Sequence, residues 1–311
     1  MAKRTLGISN KKIAAWVEAL RLRTLPLAAA GVIIAAGIAH YFNSFSWTIF
    51  ILMLLMALGM QILSNFADEY GDLASGLDDG SRVGPIRALQ RGDISKHDMK
   101  RAIIICSLIN LGLVILLLIA SFGASHPLGY VVFLMLGLAC VGAAILYTVG
   151  PKPYGYIGLG DLMSFIFFGL IAVIGGVYLY TKSFDASLIL PAVGLGLPTI
   201  AVLNLNNMRD ARDDKNKGKR TVANMLGDEK MRYYHIALLV VSAVCFLAYL
   251  IMYQAINFWI VPLALCFGVW GLTCYELMHI RLAKKFDKLM KPTSLTTVFV
   301  AIFFALSLVF A

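Results

Sequence analysis

Two short stretches of this chain place acids, amides and bases in an order that could do chemistry. The first is NFADEYGD, residues 65–72, and the second is NNMRDARDDKNKGKRT, residues 206–221. In each, an asparagine precedes an acid by four residues: Asn65 before Glu69, and Asn206 before Asp210. Further acids follow about a turn later (Asp72; Asp213 and Asp214), and then bases (Arg82 and Arg87; Lys215, Lys217, Lys219 and Arg220). Acids three and four apart project from one side of a helix. Asp68, Glu69 and Asp72 therefore converge if their segment is helical, as do Asp210, Asp213 and Asp214. Clustered carboxylates repel unless something positive compensates. One such stretch reads equally well as a solvated loop pairing with its own lysines. Two with the same order point instead to paired Mg²⁺ sites, because Mg²⁺ takes one or two carboxylates and completes its shell with water and phosphate oxygens. The bases then suit the remaining oxygens of a phosphorylated ligand.

The elements that must position these groups are apolar. Charged residues make up 14% of the 311, hydrophobic ones 60%, and the mean hydropathy is +0.81; soluble domains carry about 25% charged residues. Runs of about 20 apolar residues suit membrane-crossing helices, and nine are found, over 25–42, 47–66, 102–122, 128–147, 159–180, 187–204, 236–252, 258–278 and 294–310. Pro191 and Pro198 interrupt one run, which membrane helices tolerate where neighbours satisfy the freed backbone. The expected fold is an all-α integral membrane protein, one domain over 1–311, with nine transmembrane helices around a central cavity and the acidic motifs in the loops after spans 2 and 6. With nine spans, 26 of the 27 Lys and Arg residues fall on one side and Lys182 alone on the other. Positive charge stays cytoplasmic, so the acidic stretches should face the cytoplasm of a bacterial inner membrane. The net charge of +10 then reflects topology and affinity for anionic lipid headgroups or an anionic substrate. No soluble basic domain exists to bind nucleic acid, and no obligate protein partner is evident.

Smaller features fit that frame. Residues 11–22 set Ile13, Trp16, Val17 and Leu20 on one face, as expected of a helix lying in the membrane interface. No cleavable signal peptide is apparent. The five cysteines lie inside apolar runs and the five histidines at span ends, with no metal-ligand spacing. Asp161, after the glycine-rich IGLG, is expected to cap a helix N-terminus.

A phosphate at the cytoplasmic face above an uncharged helical cavity suits an amphiphile with a long apolar tail. A polyprenyl diphosphate meets both requirements. Its allylic C–O bond breaks once metal and cationic side chains stabilise the departing diphosphate. The resulting cation needs a dry site with aromatic faces, for which Tyr147, Phe165, Phe167 and Phe168 are candidates. A transporter of divalent cations or anionic lipids is the rival class. Such proteins place ionisable groups near the midplane, and spans 2–4 and 6–9 have essentially none there.

The sequence resembles the UbiA-type intramembrane aromatic prenyltransferases over nearly its whole length. The resemblance rests on WVEALRLRTLP (16–26), QILSNFADEYGD (61–72), SRVGPIRALQRG (81–92), YTVGPKPYGYIGLGD (147–161), FFG (167–169) and NLNNMRDARDDKNKGKRT (204–221). The YGYIGLGD and GPIR segments are similar to the branch whose acceptor is 1,4-dihydroxy-2-naphthoate, in menaquinone biosynthesis; 4-hydroxybenzoate is the alternative acceptor. The resemblance implies Mg²⁺ as cofactor, with Asn65, Glu69, Asp72, Asp210 and Asp214 at the metal motifs. It implies diphosphate contacts from Arg23 and Lys152. Substrate contacts are also expected from Arg82, Arg87, Tyr147, Asn206, Lys219 and Arg220. The family has Asn-Asp where this chain has Asp68-Glu69, and the extra methylene of Glu shifts its carboxylate by about one bond length. Asp68 and Glu69 therefore both stand as candidate ligands.

Overall fold

The computed structural model describes residues 2–76 and 86–311, with side chains from residue 11 onward. Arg82 lies outside the described residues. The elements are helices α1 (Ala2–Ala19), α2 (Leu25–Tyr41), α3 (Trp47–Ala74), α4 (Lys96–Phe122), α5 (Pro127–Leu146), α6 (Gly160–Thr181), α7 (Ile189–Asn216), α8 (Val222–Leu226), α9 (Lys230–Met252), α10 (Ile260–His279) and α11 (Asp287–Val309). Eight of them are long and apolar enough to cross a membrane among the described residues. The ninth expected span is α2, a shorter apolar helix of 17 residues. Exposed aliphatic side chains run along α4, α5, α9 and α10, among them Leu108, Val131, Met135, Val244 and Leu265. A surface of that kind is stable against lipid and costly against water. The chain is a multi-pass membrane protein.

Small residues let the helices approach closely, as membrane helix packing requires. α2 lies against α11, where a Cβ on Gly37 would come within 2.6 Å of the Ala305 Cα. α9 lies against α7, α3 against α4, and α10 against α11. The middle of α6, Phe165–Gly175, is a π-helix. Its wider i→i+5 turn meets α7 at glycines: a Cβ on Gly169 would sit 2.6 Å from the Ala192 carbonyl.

Helix α7 runs unbroken through Pro198. A proline has no N–H for the carbonyl four residues back, here that of Gly194. The Ser242 hydroxyl of α9 donates to this carbonyl instead, so the bundle repairs what the sequence removes.

The expected motif loops are in fact the last turns of helices. α3 continues to Ala74 and carries Asn65, Asp68, Glu69 and Asp72; α7 continues to Asn216 and carries Asn206, Asp210, Asp213 and Asp214. The apolar runs end earlier than the helices because packing against neighbours, more than apolarity, sustains the last turns. The described part of α1 is helical through Ala19. Among its described side chains Ala15 and Ala19 are buried, Trp16 packs edge-on to Phe66 at 5.6 Å, and Ile13 and Val17 are exposed. Asp161 lies in the first turn of α6, whose N-cap is Leu159. Its carboxylate accepts from the Tyr234 hydroxyl at 3.0 Å.

Candidate active site

Helices α2 to α7 wall a cavity of about 790 Å³. Its deep part is apolar, with Val32 from α2, Met53 from α3, Leu117 from α4, Phe133 from α5, and Phe168 and Ile171 from α6. Its mouth is formed by the motif ends of α3 and α7 and is lined by Arg21, Asp68, Asp72, Arg87, Asp210, Asp214 and Lys219. Both motifs occupy helix C-terminal turns, where the backbone dipole favours cations and opposes acids. Holding carboxylates there requires compensating positive charge, which the cavity-facing aspartates find in arginines and a lysine.

On α3, Asp68 and Asp72 share one face at i, i+4. Asp68 Oδ2 pairs with Arg21 Nη1 at 3.2 Å. Asp72 Oδ2 pairs with Arg87 Nη1 at 2.8 Å, and Asp72 Oδ1 accepts from the Tyr156 hydroxyl at 2.7 Å. Burial, together with Asp72 beside it, holds the Tyr156 hydroxyl well above its ordinary pKa, so it stays a donor. Burial, and secondarily Arg87, lowers the pKa of Arg21 against the opposing pull of Asp68. Glu69 also borders the cavity, but its Oε1 accepts from the Leu89 N–H at 2.6 Å.

On α7, the Arg209 guanidinium grips Asp210 with both arms, at 2.8 and 2.6 Å, and also reaches Asn206 Oδ1 at 2.7 Å and Asp287 Oδ1 at 2.6 Å. Its side chain is 1% exposed. Asp214 Oδ2 lies 3.3 Å from Lys219 Nζ. The two motifs are joined through the connection before α6. Lys219 Nζ stands over the Tyr156 ring at 5.5 Å, and the Arg220 N–H donates to the Tyr156 carbonyl at 2.9 Å. Tyr156, on Asp72 at one end and under Lys219 at the other, links the halves of the mouth.

The expected residues divide accordingly. Asp68, Glu69, Asp72, Asp210, Asp214, Asn65, Asn206, Arg23, Arg87, Tyr147 and Lys219 line the cavity, as do Phe167 and Phe168. Asn65 does so with its amide already committed: it donates to the Leu20 carbonyl at 2.9 Å and the Thr24 hydroxyl at 3.1 Å, and accepts from Gln61 at 3.2 Å. Lys152 and Arg220 are exposed and off the cavity wall; Phe165, half-buried and packed on Gly196, is off that wall too. Lys152 follows Pro151 in a surface turn whose backbone points it outward; in Arg220 the backbone, not the guanidinium, does the joining. Arg209, Arg21 and Tyr156 were not singled out from the sequence. Arg209 had a signal, a cation at the point where the apolar run of α7 turns polar and directly before an acid.

Of the buried carboxylate oxygens on the two motifs, Asp68 Oδ1 has no hydrogen-bond donor, and Asp214 Oδ2 has only the 3.3 Å ion pair with Lys219. Under-satisfied buried anionic oxygens are costly, and one such oxygen on each motif fits a hard divalent cation that uses few protein ligands. Among the described residues no group of three or more His, Cys, Asp or Glu forms a metal cage.

The match to known proteins decides the family. Residues 24–295 fit the UbiA prenyltransferase family. The chain belongs to it. It is 45% identical over 232 residues to the 1,4-dihydroxy-2-naphthoate octaprenyltransferase of Escherichia coli (strain K12), covering 74% of each chain. To the enzyme of the same name from Haemophilus influenzae it is 41% identical over 256 residues, 79% of this chain and 80% of that one. Among solved structures, a UbiA homologue from Aeropyrum pernix K1 superposes with a TM-score of 0.65 at 16% identity, covering 93% of this chain and 96% of that one. A UbiA homologue from Archaeoglobus fulgidus bound to DMAPP and Mg²⁺ gives 0.59 at 16% identity, covering 93% and 99%. At such identities the UbiA structures speak for the fold. The nearer sequence relatives speak for an aromatic prenyltransferase.

Proposed function

We propose that this protein transfers a polyprenyl group from its diphosphate to 1,4-dihydroxy-2-naphthoate, with loss of CO₂, at the cytoplasmic face of a bacterial inner membrane. The observation that carries the reading is one continuous cavity, acidic and basic at the mouth and apolar in depth. The names of the Escherichia coli and Haemophilus influenzae relatives support the acceptor. The charge asymmetry of the sequence supports the orientation.

In this reading the diphosphate sits at the mouth, where Arg21, Arg87 and Lys219 neutralise its oxygens. Asp68 with Asp72, and Asp214 with Asp210, would hold Mg²⁺, which when bound stabilises the charge of the leaving diphosphate. The tail lies along the apolar wall from Met53 to Phe133. The allylic C–O bond breaks and the diphosphate departs with its electron pair. The π faces of Tyr147, Phe167 and Phe168 stand beside the cationic carbon, and the dry wall keeps water from it. The acceptor ring bonds to that carbon through the position bearing the carboxylate. Breaking the carbon–carboxylate bond then returns an electron pair to the ring and releases CO₂.

The test is stoichiometry with both acceptors offered. One CO₂ and one diphosphate per prenylated naphthoate is the expected result. Diphosphate release with the carboxylate retained on 4-hydroxybenzoate would replace the acceptor, and no diphosphate release with either would remove the enzyme reading.

A further inference from the structure

The segment that starts at Ile86 is pinned to the bundle at three points. Arg87 Nη1 reaches the Asp68 carbonyl at 3.0 Å and the Asp72 carboxylate at 2.8 Å. Arg91 forks onto both carboxylate oxygens of Glu18 on α1, at 3.0 and 2.6 Å. Between them the Leu89 N–H donates to Glu69 Oε1 at 2.6 Å, with Glu69 2% and Leu89 4% exposed. A buried amide bonded to a carboxylate at that length is a strong, directional link. It fixes the backbone two residues from Arg87.

We infer that Glu69 is a positioning residue, which sets Arg87 on Asp72 through the Leu89 N–H and does not ligate the metal. Asp68 and Asp72, four apart, share the face that carries the Arg21 and Arg87 pairs, and Glu69 is turned about 100° from Asp68 around the helix. The chain's departure from the family pattern follows. A glutamate spans the gap to Leu89 from this backbone position; an aspartate, one methylene shorter, does not. Reach is therefore the property that matters at 69, whereas a metal ligand would depend on charge.

The two roles predict opposite rankings of substitutions. The activity measurement rests on the prenyl-transfer reading, so Mn²⁺ binding in the presence of inorganic diphosphate, followed by electron paramagnetic resonance on the purified full chain, is measured alongside it. Glu69→Gln keeps the acceptor oxygen, and should keep wild-type Mn²⁺ binding and turnover. Glu69→Asp and Glu69→Ala should raise the donor KM on the order of tenfold to a hundredfold. Introduced into Arg87→Ala, Glu69→Ala should add little, because both act through one contact. Mn²⁺ binding weakened by Glu69→Gln but kept by Glu69→Asp would overturn the inference, as would fully additive losses with Arg87→Ala. A wild-type chain that binds Mn²⁺ yet transfers no prenyl group would count against the prenyl-transfer reading and leave the binding comparison to judge Glu69. Arg91→Gln, outside the cavity, reports whether loosening the segment elsewhere has the same effect; an equal rise in donor KM there would also sink the specific role of Glu69.

Discussion

At the residue scale, the site balances acids placed where helix ends disfavour them. The bare Oδ1 of Asp68, and the Oδ2 of Asp214 held by Lys219 alone, are its most informative atoms. Asp68→Ala and Asp214→Ala should each retain fold and lose turnover on the order of a thousandfold, since a diphosphate without its metal clamp is a poor leaving group. Initial rates across an Mg²⁺ titration check this, and EDTA should abolish wild-type activity. Arg209 has a different job. It holds Asp210, Asn206 and Asp287 from a position sealed from solvent. Arg209→Ala strands those groups, and should lower stability by about 3–5 kcal/mol, as breaking a buried pair does. Thermal unfolding in detergent measures it. The lysines separate by geometry: Lys219→Ala should lose about a hundredfold in kcat/KM, while exposed Lys152→Ala stays near wild type.

At the element scale, α3 and α7 are carried beyond their apolar runs, and α7 is also carried through Pro198. Gly71, within the first motif, explains part of this. A Cβ there would come within 2.5 Å of the Thr148 carbonyl, and the Thr148 hydroxyl donates to the Ala67 carbonyl at 2.9 Å. The last turns of α3 are thus docked on the α5 end that leads to Tyr156. Gly71→Ala should cost about 1–3 kcal/mol through overpacking and displace Asp72 from Tyr156. A lowered melting temperature together with a raised donor KM is the expected signature. In α7, Ser242→Ala leaves the Gly194 carbonyl without its donor, and should cost about 1–3 kcal/mol with little change in KM. Comparing melting and kinetics for the pair distinguishes an element that shapes the site from one that only sustains the bundle.

For the whole molecule, the cavity and the charge distribution make one claim about orientation. With nine spans, the sequence puts 26 of the 27 Lys and Arg residues on the side of the motifs. Lys182, at the other end, is tied down by the Ser121 hydroxyl at 2.9 Å and by the Leu179 carbonyl, closing the C-terminus of α6. In a cysteine-free background, Lys215→Cys should be labelled from the cytoplasm and Phe184→Cys from the opposite side. Labelling of both from one side would end the proposed topology.

The sequence by itself determined the class of the molecule, its spans and the composition of its site. Apolar runs and charge asymmetry are local properties with large transfer free energies, and they leave few alternatives. Acid spacing at i and i+4 likewise fixes which carboxylates share a face once the segment is helical. Tertiary structure decided what each group touches. Whether Glu69 meets a cation or the Leu89 amide depends on a segment 20 residues away. Whether Lys152 or Lys219 reaches the mouth depends on how the connection before α6 lies against the end of α7. Arg209, Arg21 and Tyr156 became visible only when helices distant in sequence brought their partners to them, because an ion pair is a property of two positions and sequence spacing records only one chain coordinate.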